Sequence, residues 1–183
     1  MTPRREPQHP AASSGAAVTP ADERSVEERI AILVREAPES DPVVARLTVL
    51  LHRASRVLSR IYRQALADSG ISYPDYQVLR ALVYSGPPYT LHPAEIARQC
   101  GQTKSTMTHR LDLLEQRDLL RRTSDPSHRA RVLVEITRAG LETWRSAQHD
   151  SAHAEEHALA TLAEREKLQL TELLSAVLAH TEH

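Results

Sequence analysis

PAEIARQCGQTKSTMTHRLDLLEQRDLL, residues 93–120, followed by RRTSDPSHRARVLVEI, residues 121–136, decides the fold. The first stretch holds two short helical patterns around a tight turn. Ala97 and Gly101 stand four residues apart: the small residue lets two helices approach, and the glycine takes the positive φ that ends the first of them. Pro93 suits the first helical turn, with His92 or Leu91 just before it. Thr103 is a good N-cap for the second helix, whose inward stripe is Met107, Leu111 and Leu114. This spacing alone also fits an ordinary αα-hairpin. The second stretch supplies the deciding context, two extended runs flanking a basic, proline-containing tip. Helix, turn, helix and charged hairpin make a winged helix-turn-helix over about 72–136, whose second helix enters the major groove. The expected function is that of a DNA-binding regulator and not of an enzyme.

The DNA contacts follow from helical periodicity. With Met107 and Leu111 facing inward, Lys104, Ser105, Thr106 and His109 face outward near the start of the second helix. Lys104 suits phosphate or guanine, and the two hydroxyls suit phosphate or base edges. Arg129 and His128 supply the wing. The charge distribution agrees. The chain as a whole carries a formal net charge of −1, so bulk attraction to nucleic acid is not its device. From Thr103 to Arg131, however, seven basic residues face four acidic ones, whereas from Gly140 onward three face eight. Basic charge is concentrated on the proposed docking unit, as phosphate binding requires.

Composition bounds the rest. The 183 residues, 40% of them hydrophobic and none phenylalanine, suffice for one aliphatic core and suit packed helices. The single cysteine, Cys100, excludes an internal disulfide and ends an apolar helix face, where packing explains it better than redox chemistry. No apolar run approaches the ~20 residues of a membrane span, and no secretory signal is visible, which points to a cytoplasmic protein without membrane contact.

Outward from the winged unit, residues 1–24 are rich in Pro, Ala and Ser and read as a disordered tail. An extra helix at 25–38 opens on a Ser25–Glu28 capping box. Asp41 and Pro42 start a long amphipathic helix, 43–69, ended by Gly70. Ser72 caps the next helix, with Asp75 three residues on. After the wing, Thr137 caps a helix running toward His157, and Thr161 with Glu164 makes a second capping box before a last helix. Helices over 43–69 and 137–181 carry more apolar stripe than a winged unit needs for its own core. Pairing the surplus between two copies gives a symmetric dimer, which also suits the reading of a palindrome. A monomeric helical bundle is the alternative. The fold class is therefore mainly α with a small β-wing, a winged helix-turn-helix with N- and C-terminal dimerisation helices.

This order of elements resembles the multiple-antibiotic-resistance regulator (MarR) family over most of 43–183. STMTHRLDLLEQRDLLRR looks like the family's recognition helix and first wing strand, and DPSHRARVLVEITRAG like its wing tip, second strand and Thr-x-x-Gly lead into the following helix. The resemblance implies a bacterial, chromosome-associated, ligand-responsive repressor that binds double-stranded DNA as a homodimer. It also implies an Asp125–Arg129 pair in the wing. Asp118 departs from the usual glycine, although aspartate tolerates the left-handed conformation better than most residues.

Arg110 falls where a helix-turn-helix normally presents an apolar residue, so it must snorkel outward or meet a buried acid, for which Asp75 is the natural candidate. The urate-responsive subgroup of the family resembles this chain here. It implies that Asp75, Arg110 and Arg122 form a pocket for a small anionic effector such as urate, citrate or aconitate. The subgroup's tryptophan in the extra helix is missing. The same resemblance puts His52 near the two-fold axis, where paired imidazoles would sense pH; a half-exposed flank residue is the plain alternative.

His149, His153 and His157 recur every four residues, and adjacent pairs have zinc-chelating spacing. All three span too much of the helix for one ion, and a solvated polar face is favoured. Zinc-responsive or pH-responsive regulation of the same fold, and a helical protein-interaction adaptor, remain as alternative functions. No phosphate loop, nucleophile elbow, paired-cysteine site or cofactor motif appears.

Overall fold

The structure is a computed structural model that describes residues 25–128 and 131–181. The proposed tail, 1–24, and Arg129 lie outside the described residues. The chain divides into two units, 1–53 and 54–183.

In the first unit, α1 (Val26–Glu36) begins where Ser25 accepts from the Glu28 amide and Glu28 reaches back to the Ser25 amide, a reciprocal capping box. The long helix α2 (Pro42–Ala65) starts in this unit, with Asp41 Oδ1 accepting from the amides of Val43 and Val44 at 2.7 and 3.1 Å. An ion pair joins Arg46 to Glu27 at 3.4 Å.

The second unit holds the remainder of α2, then α3 (Tyr73–Tyr84), β1 (Thr90–Leu91), α4 (Pro93–Gln99), α5 (Lys104–Gln116), β2 (Leu120–Ser124), β3 (Val132–Ile136), α6 (Arg138–Ala158) and α7 (Glu164–Thr181). The strands form one antiparallel sheet in the order β1-β3-β2. Leu120 faces Ile136 and Ser124 faces Val132 across the wing, while Leu91 faces Val134 on the other side. A single core joins Tyr76, Leu79 and Leu82 of α3, Ile96 of α4, Met107, Leu111 and Leu114 of α5, Val134 of β3 and Ala147 of α6. Tyr62 and Tyr76 tie α2 and α3 to α6, their hydroxyls donating to Glu155 and Gln148. Burial first, then the Glu155 contact, raises the Tyr62 hydroxyl pKa, so it stays a donor.

Two turns of the same construction fix the recognition helix at both ends. Gly101 (φ 61) follows α4, with Gln102 N donating to Ala97 O and Gly101 N to Arg98 O. Asp118 (φ 56) follows α5 in the same way, with Leu119 N donating to Leu114 O and Asp118 N to Glu115 O. Both are Schellman turns, the second with aspartate in the left-handed position that glycine usually fills. The lead into α6 packs on that corner: Thr137 Oγ1 donates to Asp118 O, and a Cβ on Gly140 would stand 1.9 Å from Leu119 O. Glycine is therefore required at position 140 by close approach.

Two sequence expectations need correction, and one strand has no signal in the sequence. Strand β1 was not anticipated, because two residues carry no periodicity and gain their identity only by pairing with β3. Helix α2 ends at Ala65, and a turn covers the residues up to Gly70. The last helix starts at Glu164, where Ala163 N donates to Glu166 at 2.8 Å, so Thr161 and Glu164 are not its capping box. Leu162 still turns through a hydrogen bond to Leu159 O, which shifts the cap by two residues.

Candidate nucleic-acid interface

Helix α5 is built so that one face anchors and the other is free. Met107, Leu111 and Leu114 are fully buried, and Lys104, Ser105, Thr106, Thr108 and His109 are exposed. Thr103 caps the helix by accepting from Thr106 N at 3.2 Å, and its hydroxyl lies 2.9 Å from the Thr106 hydroxyl. Thr108 turns its hydroxyl back to Lys104 O. Among the described residues, Lys104, Ser105 and His109 have no side-chain hydrogen bond or ion pair, and all three are exposed. The first turn carries no acidic residue, so the positive end of the helix dipole and Lys104 act together on any phosphate brought there.

At the wing tip Asp125 is the organiser. Its Oδ1 accepts from both the amide and the hydroxyl of Ser127, at 2.7 and 2.6 Å, and its carbonyl accepts from His128 N. These Ser127 hydrogen bonds, chiefly, hold the Asp125 carboxyl below its ordinary pKa. His128 is left exposed at the turn. The Asp125–Arg129 pairing involves a residue outside the described ones. A contact that sequence reasoning missed supports the tip from behind: His92 Nε2 lies 3.4 Å from Asp125 Oδ2, and its Nδ1 lies 2.9 Å from Val132 O. Both ring nitrogens of His92 thus face oxygens of the wing. Only the position of His92 just before Pro93 was a signal in the sequence.

Between α4, α5 and the wing runs a groove of about 560 Å³ lined by His92, Pro93, Lys104, Met107, Thr108 and Arg131, among others. Not all of the local basic charge is available to it. Arg121 forms a forked pair with Glu135 at 3.0 and 2.8 Å, and Arg122 is held by Asp112 at 2.7 Å and Glu115 at 2.6 Å. Lys104 and Arg131 have no ion pair among the described residues.

Behind the recognition helix, Arg110 Nη1 donates to Asp75 Oδ1 at 2.5 Å, joining α5 to the first turn of α3 with both side chains largely buried. Arg122 is not gathered at this pair; its contacts are with α5 itself. Instead Arg117 approaches, Nη1 standing 4.0 Å from Asp75 Oδ2 while Nη2 donates to Gly70 O at 2.8 Å.

The other sequence candidates lie apart. His52 is exposed on α2. His149, His153 and His157 are exposed on α6; the first two rings meet edge-on at 5.3 Å, and His153 faces Glu156 at 3.8 Å. Among the described residues no three potential ligands converge on a metal position. Cys100 is partly buried against the core, and burial raises its thiol pKa. No helix among the described residues is long and apolar enough to cross a membrane.

A buried-face, exposed-face recognition helix beside a three-stranded wing defines a winged helix-turn-helix of the DNA-binding type. Residues 69–140 match the model of the MarR family. The chain is 28% identical to the HTH-type transcriptional regulator PecS of Dickeya dadantii over 145 residues, 79% of this chain and 87% of that protein. The fold is shared with a mutant MarR of E. coli complexed with operator DNA, with TM-score 0.65 and 20% identity over 80% of this chain and 98% of that one. It is shared also with Bordetella bronchiseptica BpsR, whose DNA binding is regulated by 6-hydroxynicotinic acid, with TM-score 0.62 and 23% identity over 72% of this chain and 98% of that one. The chain is thus similar to MarR-family proteins in its winged lobe and in its fold, and these relatives are transcriptional regulators rather than enzymes.

Proposed function

We propose that the protein is a dimeric repressor that binds a palindromic operator and is released from it by a small organic anion. The observation that carries the DNA-binding part is the division of α5, with Met107, Leu111 and Leu114 locked in the core while Lys104, Ser105, Thr106 and His109 stand exposed at a helix N-terminus free of acidic residues. Those four, with His128 and Arg129 of the wing, are the contact set. Apolar stripes on α2 and α7 support the dimer. Val43 is 76% exposed, and Leu168 and Leu173 are each 60% exposed, a pattern suited to burial against a second copy.

The anion part rests on Arg110. An arginine inside the helix-turn-helix that is held by one carboxylate is a competition point: an anion that takes Arg110 from Asp75 frees the recognition helix from α3 and shifts its population. Regulation of BpsR by an organic acid supports the ligand class. A gel-shift titration against the gene's flanking intergenic DNA, with and without urate, citrate and trans-aconitate, tests both parts. The expected result is a complex lost with an anion and insensitive to it in Arg110→Ala; absence of a complex with any flanking DNA would reject the function.

A further inference from the structure

His92 joins two elements that lie apart in the sequence. Pairing of β1 with β3 sets Leu91 opposite Val134, so the next residue, His92, falls beside the start of β3. Pro93 confines the residue before it to extended backbone, and His92 has φ −73 and ψ 145. Its main chain serves α4, the amide donating to Glu95 at 3.0 Å. Its ring serves the wing. Val132 O can only accept, so Nδ1 donates to it across 2.9 Å, while Nε2 lies 3.4 Å from Asp125 Oδ2. Val132 opens β3 and Asp125 follows β2, so one ring touches both arms of the hairpin.

Arg131 is held between these two anchor points. Its amide donates to His128 O at 2.7 Å, and its carbonyl accepts from Asp125 N at 3.0 Å. Arg131 is exposed and has no ion pair among the described residues, whereas Arg121 and Arg122 are held by carboxylates. It lines the groove of about 560 Å³ from the wing, and Lys104, also without an ion pair among the described residues, lines it from α5. Pro93 and Met107 add apolar lining. Glu95 is the one acid in the lining among the described residues, and its Oε2 accepts from His92 N. Uncompensated cations beside apolar groups suit a sugar-phosphate chain, with phosphate on the cations and deoxyribose on the apolar part.

We propose that, given the DNA-binding reading above, Lys104 and Arg131 grip one stretch of DNA backbone between the recognition helix and the wing, and that His92 is the positioning residue that holds Arg131 for it. The ligand is the sugar-phosphate chain of duplex DNA, whatever its sequence. His92 acts through Val132 and Asp125, the groups that fix the main chain on either side of Arg131. The ladder of β2 and β3 pairs without the ring, so losing His92 loosens the tip and not the sheet.

The test is a double-mutant cycle of wild type, His92→Ala, Arg131→Ala and the double variant, each checked for folding by thermal melting. Fluorescence anisotropy over a salt series gives affinities for the flanking intergenic DNA and for an unrelated duplex of equal length. Arg131→Ala is expected to weaken both by about tenfold, the worth of one charge-assisted hydrogen bond, and to flatten the salt slope by about one unit. His92→Ala should weaken both by about fivefold and flatten the slope in the wild-type background, but by less than about twofold once Arg131 is alanine. General loosening of the fold would not make the effect depend on Arg131. If His92→Ala does not fold, His92→Leu, which fills the volume without a donor, replaces it in the cycle. Additive losses overturn the role of His92. A loss confined to the flanking DNA means that Arg131 reads bases and overturns the backbone assignment. Unchanged affinity in Arg131→Ala overturns the grip while DNA binding stands. Absence of a wild-type complex with either duplex overturns the DNA-binding reading, and this inference with it.

Discussion

The winged lobe and the helices α2 and α7 are made of similar aliphatic residues and treat them in opposite ways. In the lobe, Tyr76, Leu79, Leu82, Ile96 and Leu114 have no exposed surface. In α7 no residue is buried, although Leu170, Leu173, Leu174, Val177 and Leu178 recur at helical spacing. The lobe is a closed solution: three short helices and a sheet, with Leu66 and Ala147 from the flanking elements, bury one another's stripes within one copy. The stripe on α7 is the same physics left open. An amphipathic helix with its apolar face in water is stable only when that face is covered. The difference teaches that the lobe completes its core within one copy, whereas the α7 stripe is left for a partner, which under the proposed function is a second copy.

The sharpest way to break this comparison is to damage the closed side. Leu79→Ala should cost about 3 kcal/mol of unfolding free energy, the lost transfer energy plus a cavity, measured by urea denaturation at fixed protein concentration. A loss under ~1 kcal/mol would mean that the lobe's core is less tightly packed than its burial implies. On the open side, Leu173→Glu should leave the lobe folded and weaken self-association by about 2 kcal/mol, since each interface would bury a carboxylate in place of an apolar contact. Sedimentation equilibrium reads this directly, and an unchanged association constant would assign the α7 stripe to something other than a second copy.

A smaller effect sharpens the function of the lobe's exposed face. Lys104→Ala should weaken binding to all DNA sequences and flatten the plot of log affinity against log salt by about one unit. Fluorescence anisotropy over a salt series measures the slope; no change would remove Lys104 from the phosphate contacts. The smallest effect is at the wing tip. The folded Asp125 carboxyl has a lowered pKa, so its contribution is complete above the unfolded value of about 3.9 and is lost as pH falls through the lower folded value. Amide shifts of Ser127 and His128 should move together in that acid range and not in Asp125→Asn. Movement in the variant as well would place the titration elsewhere.

What was legible in the chain was what is local. Ser25, Ser72, Thr103 and Thr137 cap helices within three residues of themselves, and a cap needs only its own turn. Asp118 in the left-handed position follows from the same short-range geometry. The misses are of two kinds. Strand β1 depends on pairing with β3, and the support of the wing by His92 on Val132 and Asp125, all more than thirty residues later, and no local pattern marks them. The start of α7 differs because Thr161 and Glu164 have capping-box spacing two residues before the point where the Ala163 amide donates to Glu166, and the choice between neighbouring turns rests on fractions of a kcal/mol.

The sequence by itself determined the order of the helices and of the wing hairpin, the exposed face of α5 and the oddity of an arginine at position 110, because hydrogen bonds within a turn and the 3.6-residue period are written residue by residue. Only the tertiary structure decided which charges meet. Asp75 and Arg110 were paired from sequence because there was one evident acid for one misplaced base, but Arg122, expected beside them, is held by Asp112 and Glu115, and Arg117, for which the sequence suggested no role, stands beside Asp75. Ion-pair partners are chosen by a few ångströms at the corner where α5 turns into β2, and Coulomb energy falls with distance in space, not along the chain.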